Sequence, residues 1–307
     1  MLSSTPTSHF ITLPNRPIVR QNGEITQGSL QIHYWQWQGH QPTVLLCHGG
    51  MLHGRCFDRV VNEALSGYHV VALDFRGHGR SEKHPIPYPF YWFGEDLYQF
   101  IECLNLSKNN LLGVGHSLGA YAITLAAALA PKRLFQSAIL LDPGIYSAEI
   151  YEKGVRNLQK PSSGIDQKNQ WSSIEHMISY MDQPNRLGHW PKDILHDYCT
   201  YALDENFKLQ CTPELSACLY QTAVQPESDI YPIVKNSKFI HQIPIHVVRA
   251  SKSLLNNRIP IMPTAPNLAN WFTKGRDTYL KNSSHSFPTE EPEIVVDLVK
   301  KMLKEII

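Results

Sequence analysis

Asn110-Leu111-Leu112-Gly113-Val114-Gly115-His116-Ser117-Leu118-Gly119 decides the fold. An apolar run ends in a Gly-x-Ser-x-Gly pattern, and apolar residues at helical spacing follow from Leu118 to Leu129. A strand that passes directly into a helix must do so through a tight, strained turn, with small residues on either side so that the backbone can pass close to its neighbours. Such a turn lifts the Ser117 hydroxyl out at the carboxyl end of a sheet, where open α/β folds bind ligands. The helix start behind it favours developing negative charge.

Working outward, further apolar runs stand at intervals that leave room for helices. Thr43-Val44-Leu45-Leu46-Cys47 ends at His48-Gly49-Gly50, Tyr68 to Leu73 ends at Asp74, and Leu134 to Leu141 ends at Asp142-Pro143. Continuous apolar runs suit strands buried on both faces, and Pro89 to Leu104 carries helical spacing between them. This alternation predicts an α/β protein with a parallel sheet and right-handed crossovers. The first 40 residues read as short strands joined by turns, with Leu30 to Trp37 alternating. From Gly144 to about Phe239 the chain turns polar, aromatic and helix-like, with prolines at 161, 184, 191, 213 and 226. Strand rhythm returns at Ile245 to Ala250 and Arg276 to Leu280, and a closing helix is predicted over Pro292 to Ile306. The chain therefore divides into a discontinuous core, 1–143 and 241–307, and a helical insertion, 144–240.

The chain has 307 residues, 42% of them hydrophobic, and a formal net charge of +1. That is ample for a large core and argues against a nucleic-acid surface or a basic membrane patch. Six scattered cysteines form no C-x-x-C pair and read as reduced thiols of a cytoplasmic protein. The start, MLSSTPTSHF, lacks the basic flank and apolar run of a secretory signal, and the apolar stretch Ala120 to Ala130 is too short to span a bilayer. No metal or cofactor is implied. Monomer and dimer both stay open.

A serine hydroxyl needs a base before it is a good nucleophile. His285, in the loop Lys281 to Phe287 between the last strand and the last helix, is the candidate. His241 and His246 flank a strand and read as structural; His33, His40 and His69 have no supporting context. An acyl transfer also needs amide donors for the oxyanion. Leu118 supplies one backbone N–H, and the loop His48-Gly49-Gly50-Met51 the other, from Gly50 or Met51 with Gly50 preferred. His48 braces this loop.

These residues, with Asp74-Phe75-Arg76-Gly77-His78-Gly79-Arg80-Ser81, resemble the α/β-hydrolase superfamily over roughly residues 30–143 and 241–307. The order, serine first and histidine last, agrees. The resemblance is closest to the lidded esterase and epoxide-hydrolase-like branch. A serine at 117 argues against epoxide or haloalkane chemistry, because those relatives carry an aspartate nucleophile. It implies a mostly parallel twisted sheet flanked by helices, a structural turn over Asp74–Ser81, and a helical cap over Ser117. Trp171, Trp190, Tyr198, Tyr201 and Tyr220 then line the pocket or form the cap's own small core, the second being preferred.

The chain departs from the pattern at the acid. Ser253 stands where the superfamily carries an aspartate, and no Asp or Glu occurs between Asp229 and Asp277. Asp142, at the strand end after the nucleophile helix, is the replacement; Asp277 should lie at the far end of its strand. The implied activity is a serine hydrolase that cleaves an ester, thioester or similar small acyl substrate through an acyl-enzyme. An acyltransferase, a C–C bond hydrolase and a low-turnover receptor are the alternatives.

Overall fold

The computed structural model describes residues 5–153, 168–255 and 259–306. Pro161 and the first four residues of the segment read for a secretory signal lie outside them. The chain opens with β1 (Thr7–Val19) and β2 (Ile25–Trp37), continues through β3 (His40–Cys47), α1 (Asp58–Ala64), β4 (Tyr68–Leu73) and α2 (Trp92–Cys103), and reaches the deciding unit, β5 (Leu112–His116) and α3 (Leu118–Leu129). After β6 (Ser137–Leu141) come, among the described residues, the helices α4 (Ala148–Lys153), α5 (Ile174–Met181), α6 (Lys192–Ala202), α7 (Pro213–Ala223) and α8 (Tyr231–Asn236). Strand β7 (Ile245–Lys252), the short pair β8 (Leu254–Leu255) and β9 (Ile259–Pro260), β10 (Gly275–Ser284), α9 (Phe287–Glu290) and α10 (Pro292–Ile306) close the chain.

Eight strands form one sheet in the order β1-β2-β4-β3-β5-β6-β7-β10, parallel from β4 onward. Residues 7–37 differ from expectation: they form one long antiparallel hairpin rather than several short strands. Pro14 and Asn15 are absorbed by a register shift between Leu13 and Arg16, with Asn15 at φ 52°. Such a bulge bends a strand without ending it.

The two-residue period of the strands sorts the core. Leu45, Cys47, Val71 and Leu73 face the apolar cluster that holds α2 and α3, while Val44, Leu46, Val70 and Ala72 face the cluster that holds α1 and α10. A third cluster, built on Trp171, Met177, Ile194 and Cys199, belongs mainly to α5 and α6. Among the described residues no helix is long and apolar enough to cross a membrane.

The connections place the site. From β3 the chain moves to β4 on one side and later to β5 on the other, so Cys47 ends level with Gly115 at a point where the winding reverses. A crevice opens at the carboxyl ends of strands at such a point. His48 braces the loop after β3 as expected: its Nε2 accepts from the Phe75 N–H (3.0 Å) and its Nδ1 meets the Gly49 carbonyl (2.7 Å). Asp74 ties the neighbouring turn, accepting from Gly54 N–H (2.8 Å), Arg80 N–H (3.0 Å) and His33 Nδ1 (2.7 Å). His33 thus has a structural context that the sequence did not show.

A methyl group on Gly119 would stand 2.1 Å from the Cys47 carbonyl oxygen, which is backbone and cannot step aside. Gly119→Ala should therefore cost about 3 kcal/mol or more, the upper end of overpacking, and lower Tm by about 6 °C or more. A Tm within about 1 °C of wild type, on the same scaling, would mean that α3 does not sit this close to β3.

Candidate active site

Ser117 has φ 51° and ψ −111°, a conformation that L-residues adopt only under constraint. Its N–H donates to Leu141 O (2.9 Å), and its carbonyl accepts from Gly144 N–H (3.1 Å) and Tyr121 N–H (3.0 Å). Gly115 and Gly119 leave no room for side chains: a Cβ on Gly115 would lie 2.6 Å from Gly119 C. Among the described residues, four that are neither glycine nor asparagine have positive φ: Met51, Ser117, Asp142 and Phe207. Three of them stand just past the ends of the adjacent strands β3, β5 and β6. Strain concentrated in this way marks a functional site.

His285 and Asp142 meet there. His285 Nδ1 lies 2.7 Å from Asp142 Oδ2, and both residues are buried. A carboxylate only accepts, so Nδ1 carries the proton and Nε2 is left with its lone pair, the tautomer a general base needs. Asp142 Oδ1 accepts from Ala250 N–H (3.0 Å) and Thr264 Oγ1 (3.1 Å). Burial pushes the Asp142 carboxyl up, but the His285 hydrogen bond and charge and the Ala250 amide outweigh it and hold it below the usual range. His116 donates from Nε2 to the His285 carbonyl (2.9 Å), and its ring lies 4.9 Å from the imidazole of His285. Thr264 and His116 escaped the sequence reading because they act on Asp142 and His285 rather than on substrate. Among the described residues no hydrogen bond joins Ser117 Oγ to His285 Nε2. Such contacts often tighten only when substrate binds.

The oxyanion candidates face the same space. Leu118 is the first residue of α3, so its N–H has no acceptor within the helix. Burial pushes the Cys211 thiol up to about 12, against the nearby Met51 amide and Lys83 charge, and among the described residues the Met51 N–H, in the loop after β3, donates to no backbone acceptor. No acceptor among the described residues takes the Gly50 N–H. A cavity of about 720 Å³, solvent at its mouth included, is lined by Gly50, Met51, Leu118, Ser117 and His285 together.

The aromatic residues of the insertion divide. Trp190, Tyr198 and Tyr220 line this cavity, Trp171 with Trp190 and Tyr198 belongs to the α5–α6 cluster, and Tyr201 packs on Trp35. Both readings of these side chains thus hold for some of them. Among the described residues no hydrogen bond joins Ser253 to His285; β7 runs on to Lys252, opposite Ser284, before reaching it. Asp277 lies in β10 and pairs with Arg249 at 2.7 Å, away from the cavity. Among the described residues no cluster of His, Cys, Asp and Glu could hold a metal ion.

A second Ser-His-Asp string sharpens what makes a site. Ser8 Oγ lies 2.9 Å from His33 Nε2, and His33 Nδ1 lies 2.7 Å from Asp74. Ser8, however, is exposed within β1, and the strand simply continues past it. No helix start turns free N–H groups toward its hydroxyl, so a charged tetrahedral oxygen would find no donors there.

The sequence profile of the alpha/beta hydrolase family matches residues 44–298. A serine hydrolase-like protein of Danio rerio is 27% identical over 188 residues, covering 58% of this chain and 55% of its own. Ethanol acetyltransferase 1 of Kluyveromyces lactis is 26% identical over 255 residues, covering 75% and 65%. The chain spans about half the length of the first curated relatives it matches. The solved peroxisomal α/β-hydrolase Lpx1 of Saccharomyces cerevisiae superposes with a TM-score of 0.75 at 13% identity, over 99% of this chain and 90% of that one, and shares the fold.

Burial lowers His48 and His116 from 6.5 to about 3 and His78 to about 4. The unfolded chain binds these protons below 6.5 and the folded chain does not, so stability rises with pH across that interval. Acidification from pH 6.5 to 4 should lower Tm progressively, each histidine contributing up to about 1.4 kcal/mol per pH unit. A Tm constant from pH 7 to pH 4.5 would contradict the neutral, buried state of these rings.

Proposed function

The chain belongs to the alpha/beta hydrolase family, and from that premise we propose that it is a serine hydrolase cleaving a small ester, thioester or similar acyl substrate through an acyl-enzyme on Ser117. The observation that carries this reading is the His285–Asp142 hydrogen bond of 2.7 Å, which leaves Nε2 free as a base beside the strained serine. Ser117 Oγ attacks the carbonyl carbon while its proton passes to His285 Nε2. Asp142 keeps the ring oriented and offsets the imidazolium charge. The N–H groups of Leu118 and Gly50 hold the oxyanion, with Met51 as the alternative to Gly50. The imidazolium then protonates the leaving group, and water attacks the acyl carbon with the same ring as base. This cycle needs no metal or cofactor.

The insertion, 144–240, is read as a cap over this site. Ser216, Leu219 and Tyr220 border the cavity from above, and His189 reaches Glu290 of the core at 3.0 Å. The free cysteines support a reducing compartment, in keeping with a cytoplasmic protein. A second reading, transfer of the acyl group to an alcohol instead of water, is favoured by the likeness to ethanol acetyltransferase 1. Adding ethanol to a p-nitrophenyl acetate assay separates the two: a transferase yields ethyl acetate, and a hydrolase yields acetate alone.

Asp142→Asn should lower kcat on p-nitrophenyl esters by about 10³–10⁴-fold, as expected when an acid that sets the tautomer is lost. A loss below about threefold would place the acid elsewhere, since removal of a triad acid costs far more.

A further inference from the structure

One face of α7 looks into the cavity. Ser216, Leu219, Tyr220 and Ala223 all line it, the three-and-four spacing of a single helical stripe. Ser216 is only 2% exposed, and its Oγ has no hydrogen-bond partner among the described residues. A hydroxyl within a helix can return to a carbonyl one turn back. Thr124 does so to Ala120 O at 2.9 Å, Thr200 to His196 O at 2.8 Å and Thr222, on α7 itself, to Cys218 O at 3.0 Å. Ser216 does not. Across the same cavity Trp190 is 4% exposed, and its indole Nε1 also lacks a partner. Buried hydroxyls and indole N–H groups are normally paired.

The character of the walls narrows what can pair with them. Among the described residues no Asp, Glu, Lys or Arg lines the cavity, and its other walls include Leu52, Phe90 and Leu187. A carboxylate or phosphate brought here would lose its hydration without gaining a cation, which is costly. A plain alkyl chain would leave both donors unpaired. An uncharged oxygen fits both conditions.

Resting on the serine hydrolase reading above, we propose that Ser216 and Trp190 form a polar subsite for an uncharged acceptor oxygen of the substrate, set apart from the scissile carbonyl. The substrate class is a neutral oxo-, hydroxy- or alkoxy-bearing ester or thioester, not a plain fatty acyl ester and not an acidic one.

The test uses matched esters, each rate divided by the ester's own alkaline hydrolysis rate. On the acyl side, p-nitrophenyl 4-, 5- and 6-oxo esters are compared with isosteres in which C=O is replaced by CH–CH₃. On the leaving-group side, 2-methoxyethyl acetate is compared with butyl acetate. The p-nitrophenyl monoester of glutaric acid supplies the charged case. In wild type, at least one oxygen-bearing member should exceed its partner by about tenfold or more in kcat/KM, and the acidic ester should fall about tenfold or more below it. Ser216→Ala or Trp190→Phe should bring the preferred ratio within about threefold, since the donor it rests on is gone. The ratio is taken within each protein, so a reduced folded fraction cancels. Wild-type ratios all below about threefold, a preference surviving in both variants, or the acidic ester being turned over best would overturn the subsite. Undiminished turnover by Ser117→Ala would instead overturn the serine hydrolase reading itself.

Discussion

The close approach of α3 to the end of β3 is the constraint on which the site depends. Gly119 lies against the Cys47 carbonyl and Gly115 against Gly119, so the chain between them has one way to turn. That turn forces Ser117 to φ 51°. An isolated residue would relax from such a conformation, whose cost is of the order of 1–3 kcal/mol. Here the relaxed state is blocked by packing and by the hydrogen bonds from Ser117 to Leu141, Gly144 and Tyr121. Met51 and Asp142 also stand at positive φ, past the ends of the flanking strands.

The displaced acid shows how a fold keeps a geometry while changing its source. In this chain β7 does not turn at the level of the site but runs on to Lys252. Residue 253, next after Lys252, is a serine and brings no carboxylate to the imidazole of His285. Asp142 reaches it instead from β6, and β7 helps by donating the Ala250 N–H to its second oxygen. Burial alone would push that carboxyl toward its neutral form. The pairing with His285 reverses the direction, so Asp142 is both desolvated and charged. Desolvation strengthens its hold on the ring, because little water competes for it.

Much of this was legible in the sequence, for identifiable reasons. The buried strands show as continuous apolar runs, the closing helix as a stripe at Ile294, Val295, Leu298, Met302 and Leu303, and the turn at Ser117 as its two glycines. The order of serine before histidine, with the empty interval between Asp229 and Asp277, singles out Asp142. What did not show depends on three-dimensional closure. The bulge at Pro14 and Asn15 carries one long strand through a stretch that read as short strands joined by turns. His33 gains meaning only when β2 and β4 bring it to Asp74. The unpaired hydroxyl of Ser216 is defined by what does not reach it, which no spacing of residues reveals.

The central claim is that the reactive hydroxyl is the one on the strained turn, and not the exposed one in the similar Ser8–His33–Asp74 string. The most direct measurement is peptide mapping, by mass spectrometry, of the adduct formed with a fluorophosphonate. The account predicts a single adduct, on Ser117, and none in Ser117→Ala. An adduct on Ser8 or any other residue of the wild-type protein, or one that persists in Ser117→Ala, would contradict it.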